Sequence, residues 1–236
     1  MRAKGLIFAL LLGAGSSFAA TLTHDYLLQN TLADSLGGPD LTSLGGTIGP
    51  TGYTFAQQQG LSLSNAFTGG QNANYSIYLN FAFDVTTGFR KILDFKALGS
   101  DNGLYNLDTT LNFYNITTGP AGAFAPGVFA QVVLTRDGSG NVVGYVNGVQ
   151  QISFADTSSA AVFDAANGII NFFQDDGVTG GRESSGGVVT EIRIYDGALT
   201  AEEVGGLTAA PEPASLALAG AGLALCVLGR RKKLLG

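Results

Sequence analysis

Ser76-Ile77-Tyr78-Leu79-Asn80-Phe81-Ala82-Phe83 alternates without a break. On an extended chain Ile77, Leu79, Phe81 and Phe83 share one face, and Ser76, Tyr78, Asn80 and Ala82 the other. Successive strand side chains point to opposite sides, so a period of two predicts a strand with one face in a core. Val128, Ala130, Val132 and Leu134 repeat the pattern. Further on, Gly144-Tyr145-Val146-Asn147-Gly148-Val149-Gln150 reads as a hairpin. Both central positions of a type I′ turn need positive φ, which Asn147 and Gly148 tolerate. Arg136-Asp137-Gly138-Ser139-Gly140 is the preceding turn. Further strand candidates cover residues 91–95, 111–114, 152–154, 169–173 and 188–195. The one helix signal is Thr200-Ala201-Glu202-Glu203, a capping box before Val204 and Leu207. Residues 68–74, rich in Gly, Gln and Asn, read as a loop. Many short antiparallel strands separated by turns predict an all-β sandwich or barrel.

Composition agrees. Of 236 residues 35 are Gly, with no three-residue period, which excludes collagen and favours tight turns. Hydrophobic residues reach 45% while charged residues are only 13%, so part of the apolar content is available for membranes rather than a core. The segment 20–210 holds six bases and seventeen acids; six minus seventeen leaves −11. A domain this acidic repels phosphate backbones, which argues against nucleic acid as a partner, and it suits hard cations such as Ca²⁺. The one cysteine, Cys226, lies outside this segment, so no disulfide or Cys-metal site staples it and its core must carry its stability.

Both ends read as targeting devices. Met1-Arg2-Ala3-Lys4 is basic, the apolar run at residues 6–12 is too short to span a bilayer, and Ser17-Phe18-Ala19 offers small residues at −3 and −1. That is a signal peptide over residues 1–19, cut after Ala19, with Ala20 the alternative. At the other end Pro211-Glu212-Pro213 precedes an apolar run, residues 214–229, closed by Arg230-Arg231-Lys232-Lys233. The prolines hold the chain extended, and the run with the Pro-Glu-Pro segment approaches the length of one membrane-crossing helix. The basic cluster stays cytoplasmic, which places the acidic domain outside. This order of parts, over residues 211–236, resembles the PEP-CTERM sorting signal of Gram-negative bacteria. The resemblance implies an exosortase-type membrane enzyme as processing partner and a transient inner-membrane anchor. It also implies tail removal, with release or attachment at the cell surface alongside exopolysaccharide. An ordinary single-span anchor is the alternative.

Three stretches of the middle resemble the laminin-G-like, concanavalin A-like jelly roll: Val132 to Asp137, Tyr145-Val146-Asn147-Gly148, and Gly187 to Leu199 with Glu191-Ile192-Arg193-Ile194-Tyr195-Asp196-Gly197-Ala198-Leu199. Thr31-Leu32-Ala33-Asp34, Gly45-Gly46 and Gly52-Tyr53 add an N-terminal match to the variant that accompanies PEP-CTERM tails. The resemblance implies an antiparallel β-sandwich jelly roll over residues 20–208.

Chemistry is sparse. The lone His24, expected at the surface or a strand edge, has no cysteine near it, and no Ser-His-Asp or Cys-His arrangement follows. Glycosidases on this fold set two acids two residues apart on one strand. Here the corresponding face of 191–195 carries Glu191, Arg193 and Tyr195 instead, so no catalytic residue is assigned. Asp175-Asp176, after Phe172-Phe173-Gln174, with Glu183 beyond a Gly-rich loop, is the one dense acid cluster. Laminin-G-like domains often hold a rim calcium, so the resemblance makes Asp175, Asp176 and Glu183 candidate Ca²⁺ ligands. The alternative is solvated loop acids, with Glu183 paired to Arg182 or another base. Tyr53, Tyr75, Tyr78, Tyr105 and Tyr114 offer faces for stacking sugars, but such residues more often fill cores, so no ligand residue is assigned. The expected function is a non-enzymatic binding or matrix module outside the cell, contacting carbohydrate. A purely structural surface protein is the first alternative, and a glycoside hydrolase or lyase the second.

Overall fold

The structure, a computed structural model, describes residues 20–67, 71–163 and 168–208. The signal-peptide segment with Ala19, and the tail with Pro211, Glu212, Pro213, Arg230, Arg231, Lys232 and Lys233, lie outside them. Among the described residues no helix is long and apolar enough to cross a membrane.

Strands follow in chain order as β1 (Thr21–Tyr26), β2 (Thr42–Ser43), β3 (Thr47–Gly49), β4 (Gly52–Phe55) and β5 (Leu61–Leu63). A 3₁₀ turn at Gln71–Ala73 leads into β6 (Tyr75–Phe83), β7 (Phe89–Asp94), β8 (Gly103–Leu107), β9 (Thr110–Phe113) and β10 (Thr117–Thr118). Then come β11 (Ala130–Arg136), β12 (Asn141–Val146), β13 (Val149–Ala155), β14 (Ile170–Phe172), β15 (Gly187–Asp196) and helix α1 (Ala201–Thr208). They form two antiparallel sheets. The larger runs β13-β12-β11-β6-β15-β4-β3, with β1 also on β15; the smaller runs β10-β9-β8-β7-β14-β5-β2. This is the expected all-β jelly-roll sandwich.

The core between the sheets is the alternating set. Ile77, Leu79, Phe81 and Phe83 of β6 meet Leu104, Phe113, Phe172 and Phe173 from the smaller sheet and its margin, all buried. Phe81 touches Phe83, Phe124 and Phe173 at ring separations of 4.7, 6.2 and 5.1 Å. The second face of β6 departs from the simple expectation, because Ser76 and Tyr78 are buried as well. The reason is α1. It folds back over the outside of the larger sheet, and Val204 and Leu199 pack on Tyr78, Val133, Tyr145 and Tyr195. The capping box forms as read: the Thr200 N–H donates to Glu203 Oε2 (2.7 Å) and the Glu203 N–H to Thr200 Oγ1 (3.2 Å).

Asn147 and Gly148 take φ of 50° and 78°, which makes the β12–β13 hairpin. The alternation through Val128 overshoots. Pairing to β6 begins at Ala130, and Val128 stands 59% exposed. Arg136 is not a turn residue but the buried end of β11.

Candidate functional site

The outward face of the smaller sheet is polar. Register aligns Thr42, Ser62, Asn171, Asp94 and Gly103 across five strands, and Lys91, Tyr105 and Asn112 across three. Lys91 has no exposure at all. Its Nζ lies 2.9 Å from Asp176 Oδ2, 3.9 Å from Asp175 Oδ1 and 4.0 Å from Asp94 Oδ2, and 4.4 Å above the Tyr105 ring. Gly103 lacks a side chain here for cause: a Cβ would come 3.0 Å from Lys91 Cδ and 2.7 Å from the Leu93 carbonyl.

The same carboxylates brace the loops that cover the face. Asp94 Oδ1 accepts from the N–H groups of Lys96 (3.2 Å) and Leu98 (2.7 Å). Asp176 Oδ1 accepts from the Val178 N–H at 2.8 Å. Asp175 Oδ2 accepts from Thr179 Oγ1 (3.1 Å) and the Glu183 N–H (2.9 Å). One buried ammonium therefore neutralises acids from two strand ends and fixes both loops.

The three candidate calcium ligands are brought near one another, as that expectation requires. Their charge, however, is directed at Lys91. A Ca²⁺ within 2.3–2.6 Å of Asp175 and Asp176 would sit against the ammonium, so with Lys91 in place the donor set does not fit the ion. Among the described residues no group of three or more His, Asp or Glu is arranged to hold a metal. The alternative of solvated loop acids does not describe Asp175 and Asp176 either, since both are buried. Nor does Arg182 pair with Glu183, because its Nε donates to the Thr179 carbonyl at 3.0 Å.

One ammonium among so many acids leaves negative charge uncompensated. Burial first, and the negative charge of Asp175 second, raise the Glu183 pKa; burial and then Asp176 do the same for Asp101. Burial raises Asp94 too, against the Leu98 N–H and Lys91, which lower it. Acids whose folded pKa exceeds the unfolded value bind more protons when folded, so stability falls as pH rises through that window. Melting temperature is expected to climb as pH is lowered from about 8 towards 5, just above the ordinary carboxylate range near 4. Below that range the sign reverses, because Asp34 and Asp137 have lowered folded pKa values. In each, burial opposes the shift and hydrogen bonds outweigh it. A melting temperature flat or rising from pH 5 to 8 would exclude this account.

From Lys91 the aromatic contacts lead outward. Tyr105 lies 6.0 Å from Tyr114, and Phe89 packs edge-on to both at 5.5 and 5.8 Å. Tyr53, Tyr75, Tyr78 and Tyr105 are buried, but Tyr114 is only half-buried. It forms one wall of an open cleft of about 420 Å³, completed by Ser100, Asp101, Asn102, Asn115, Ser158 and neighbouring apolar atoms. Asp101 Oδ1 and Asn102 Oδ1 are shielded acceptors without a hydrogen-bond partner. Three loops far apart in sequence build this cleft. Only Tyr114 was visible beforehand, as one of five tyrosines.

His24 lies on β1, which among the described residues pairs with β15 alone. It stands on an edge strand, as one half of the expectation has it, but its ring is buried rather than at the surface. Its Nδ1 lies 2.7 Å from Asp34 Oδ2 and its Nε2 3.1 Å from the Ala66 carbonyl. Asp34 Oδ1 also accepts from the N–H groups of Asp25 (2.9 Å) and Leu36 (3.0 Å). Both ring nitrogens face acceptors, so the ring ties β1 to two loops.

With this architecture in view, a family model described as the concanavalin A-like lectin/glucanases superfamily, of laminin G type, matches residues 55–205. The chain belongs to that superfamily. A second model, the PEP-CTERM protein-sorting motif, matches residues 209–233. This motif marks a protein for export, for sorting at the membrane and for processing by an exosortase. Among solved structures, the concanavalin A-like domain resembles domain 4 of AbnA, a GH43 extracellular arabinanase from Geobacillus stearothermophilus in complex with arabinotriose. The TM-score is 0.60 at 21% identity, covering 81% of this chain and all of that one. It also resembles the Trypanosoma rangeli sialidase (TM-score 0.60, 18% identity, 79% of this chain and 32% of that one). The botulinum neurotoxin serotype D binding domain follows at TM-score 0.57 and 13% identity, over 80% of this chain and 51% of that one. The chain thus spans about a third of the sialidase. At these identities the likeness concerns the fold, one shared by carbohydrate-binding and glycosidase domains. No curated protein matches the chain.

Proposed function

We propose that this is a non-catalytic binding module for extracellular carbohydrate. It is exported behind a signal peptide, held briefly in the inner membrane by its tail, and then displayed or released by an exosortase. The observation that carries the ligand class is the cleft: a half-exposed tyrosine ring beside hydroxyl and amide groups, in a volume within the range of small-ligand sites (~300–1,000 Å³). A ring face offers stacking for the C–H face of a sugar, and Ser100, Asn102, Asn115 and Ser158 offer hydrogen bonds to its hydroxyls. The arabinanase domain of the same fold, solved with arabinotriose, supports an oligosaccharide as the kind of ligand.

The test is a glycan array followed by calorimetry on each hit, with and without calcium. Tyr114→Ala should weaken binding about tenfold, the effect of losing roughly 1.4 kcal/mol of ring contact. Ser158→Arg, at an exposed position, should block the cleft without touching the core. An array empty in both conditions, or two variants that bind like the parent, would refute the reading.

A further inference from the structure

The sandwich has two ends, and the register identifies them. Phe83, Gly187 and Gly127 meet at one; Tyr75, Asp196 and Arg136 meet at the other. The cleft lies at the second end, with the β11–β12 turn and the start of β1 at Thr21, which pairs with Asp196. Helix α1 returns the chain to the first end. A Cβ on Gly148, at the tip of the β12–β13 hairpin, would lie 2.5 Å from Thr208 Oγ1. The sorting motif begins at residue 209, directly after. Five residues, 209–213, separate Thr208 from the apolar run at 214, a reach of at most ~20 Å along the chain.

That end has an unusual surface. Residues 109–135 contain no charged side chain, and neither do residues 141–155. The two segments are joined. The Gln131 N–H donates to Asn147 Oδ1 (2.9 Å) and the Asn147 N–H to the Gln131 carbonyl (2.8 Å). Gly119 sits so close to Gln151 that a Cβ would be 2.9 Å from its carbonyl oxygen. Three of the large exposed apolar side chains cluster there: Val128 at 59%, Phe129 at 47% and Val149 at 62%. The charged groups at this end lie outside the two segments. Asp84 and Asp108 follow β6 and β8, and Arg90 meets the 174–186 loop, which carries Asp175, Asp176, Arg182 and Glu183 and runs into Gly187.

The geometry points to the uncharged part of this end, built by residues 109–135 and 141–155, as a surface that rests on the lipid bilayer while the tail is inserted. The inference depends on the inserted-tail reading above. A tether of five residues holds the end within reach of the headgroups, Phe129 and two valines enter the interface, and no basic or acidic group in the two segments has to be desolvated. The cleft then points away from the membrane, towards whatever surrounds the cell.

The test uses the chain from residue 20 to 236 with Cys226→Ser, reconstituted in phosphatidylcholine–phosphatidylglycerol vesicles containing brominated lipid. A fluorophore is placed on Gln150→Cys at the exit end, or on Ser139→Cys at the cleft end; both sites are exposed. Quenching at 150 is expected to exceed that at 139 about twofold or more, and F129D with V149D should abolish the difference without changing the melting temperature. Equal quenching at both positions in protein that floats with the vesicles would overturn the docked surface alone. Protein that fails to float would overturn it together with the inserted tail. Quenching at 150 that requires added exosortase would replace lipid by the enzyme as the occupant.

Discussion

Lys91→Met is expected to destabilise the domain by about 3–5 kcal/mol, the cost of leaving buried charge without its partner. Lys91 Nζ is the cation that faces Asp94, Asp175 and Asp176, and all four side chains are fully buried. Methionine keeps the stem and removes the charge. The carboxylates must then ionise against each other or protonate, and the loops they brace at Leu98, Val178 and Glu183 loosen. A loss of this size takes much of the 5–15 kcal/mol that holds an ordinary domain. Urea denaturation at pH 7 measures it. Lys96→Met is the control. Its Nζ donates to the Ser159 and Val162 carbonyls from a half-buried position, so its loss should stay near 1 kcal/mol. If Lys91→Met costs no more than Lys96→Met, the ammonium is not what organises this face. Calcium that restored the Lys91→Met domain would show that these acids form a cation site whose native occupant is the lysine.

The parts of the fold legible in the sequence are those specified by neighbours. β6 announces itself through Ile77, Leu79, Phe81 and Phe83, the hairpin through Asn147-Gly148, and α1 through Thr200 and Glu203. Each rests on side-chain period or turn chemistry within ten residues. What stayed hidden depends on partners far along the chain. Tyr78 reads as solvent-facing until α1, more than 120 residues later, lies over it. Lys91 reads as an ordinary strand lysine, and its partner Asp176 is 85 positions away. Strands β2, β3 and β10 have two or three residues each, too few for a period to show. Asp175 and Asp176 stand out as acids, but adjacency in sequence does not tell which cation they meet.

The cleft was illegible for the same reason, since residues 100–102, 114–116 and 158–160 come from three separate connections. Its third wall is held by two cations: Lys96, through the Ser159 and Val162 carbonyls, and the more deeply buried Arg136. Arg136 Nε donates to Asp156 Oδ2 at 3.0 Å, and its Nη1 reaches the carbonyls of Ala73 and Asp137. Asp156 in turn accepts from the N–H groups of Ala160 (2.7 Å) and Ala161 (3.1 Å), and the Ala161 carbonyl accepts from the Tyr75 hydroxyl at 2.6 Å. The end of β11 thereby holds the loop that presents Ser158 and Ala160 to the cleft.

Arg136→Met should cost about 3 kcal/mol, at the lower end for a broken buried pair because Asp156 keeps two backbone donors. The effect should concentrate locally. Hydrogen exchange at Ala160 and Ala161 is expected to rise before that of β6 and β11, since their amides lose a fixed acceptor while the core strands keep their ladders. Carbohydrate binding should fall in the same variant, even where the domain remains folded, because one wall of the cleft loses the more deeply buried of its two cations. Arg136→Lys keeps the charge and loses the forked geometry, so it should lie between the two. Stability and exchange unchanged in Arg136→Met would mean that the Asp156 loop is held by the packing of Phe163 on Tyr75 and Phe95 instead, at ring separations of 5.0 and 4.5 Å.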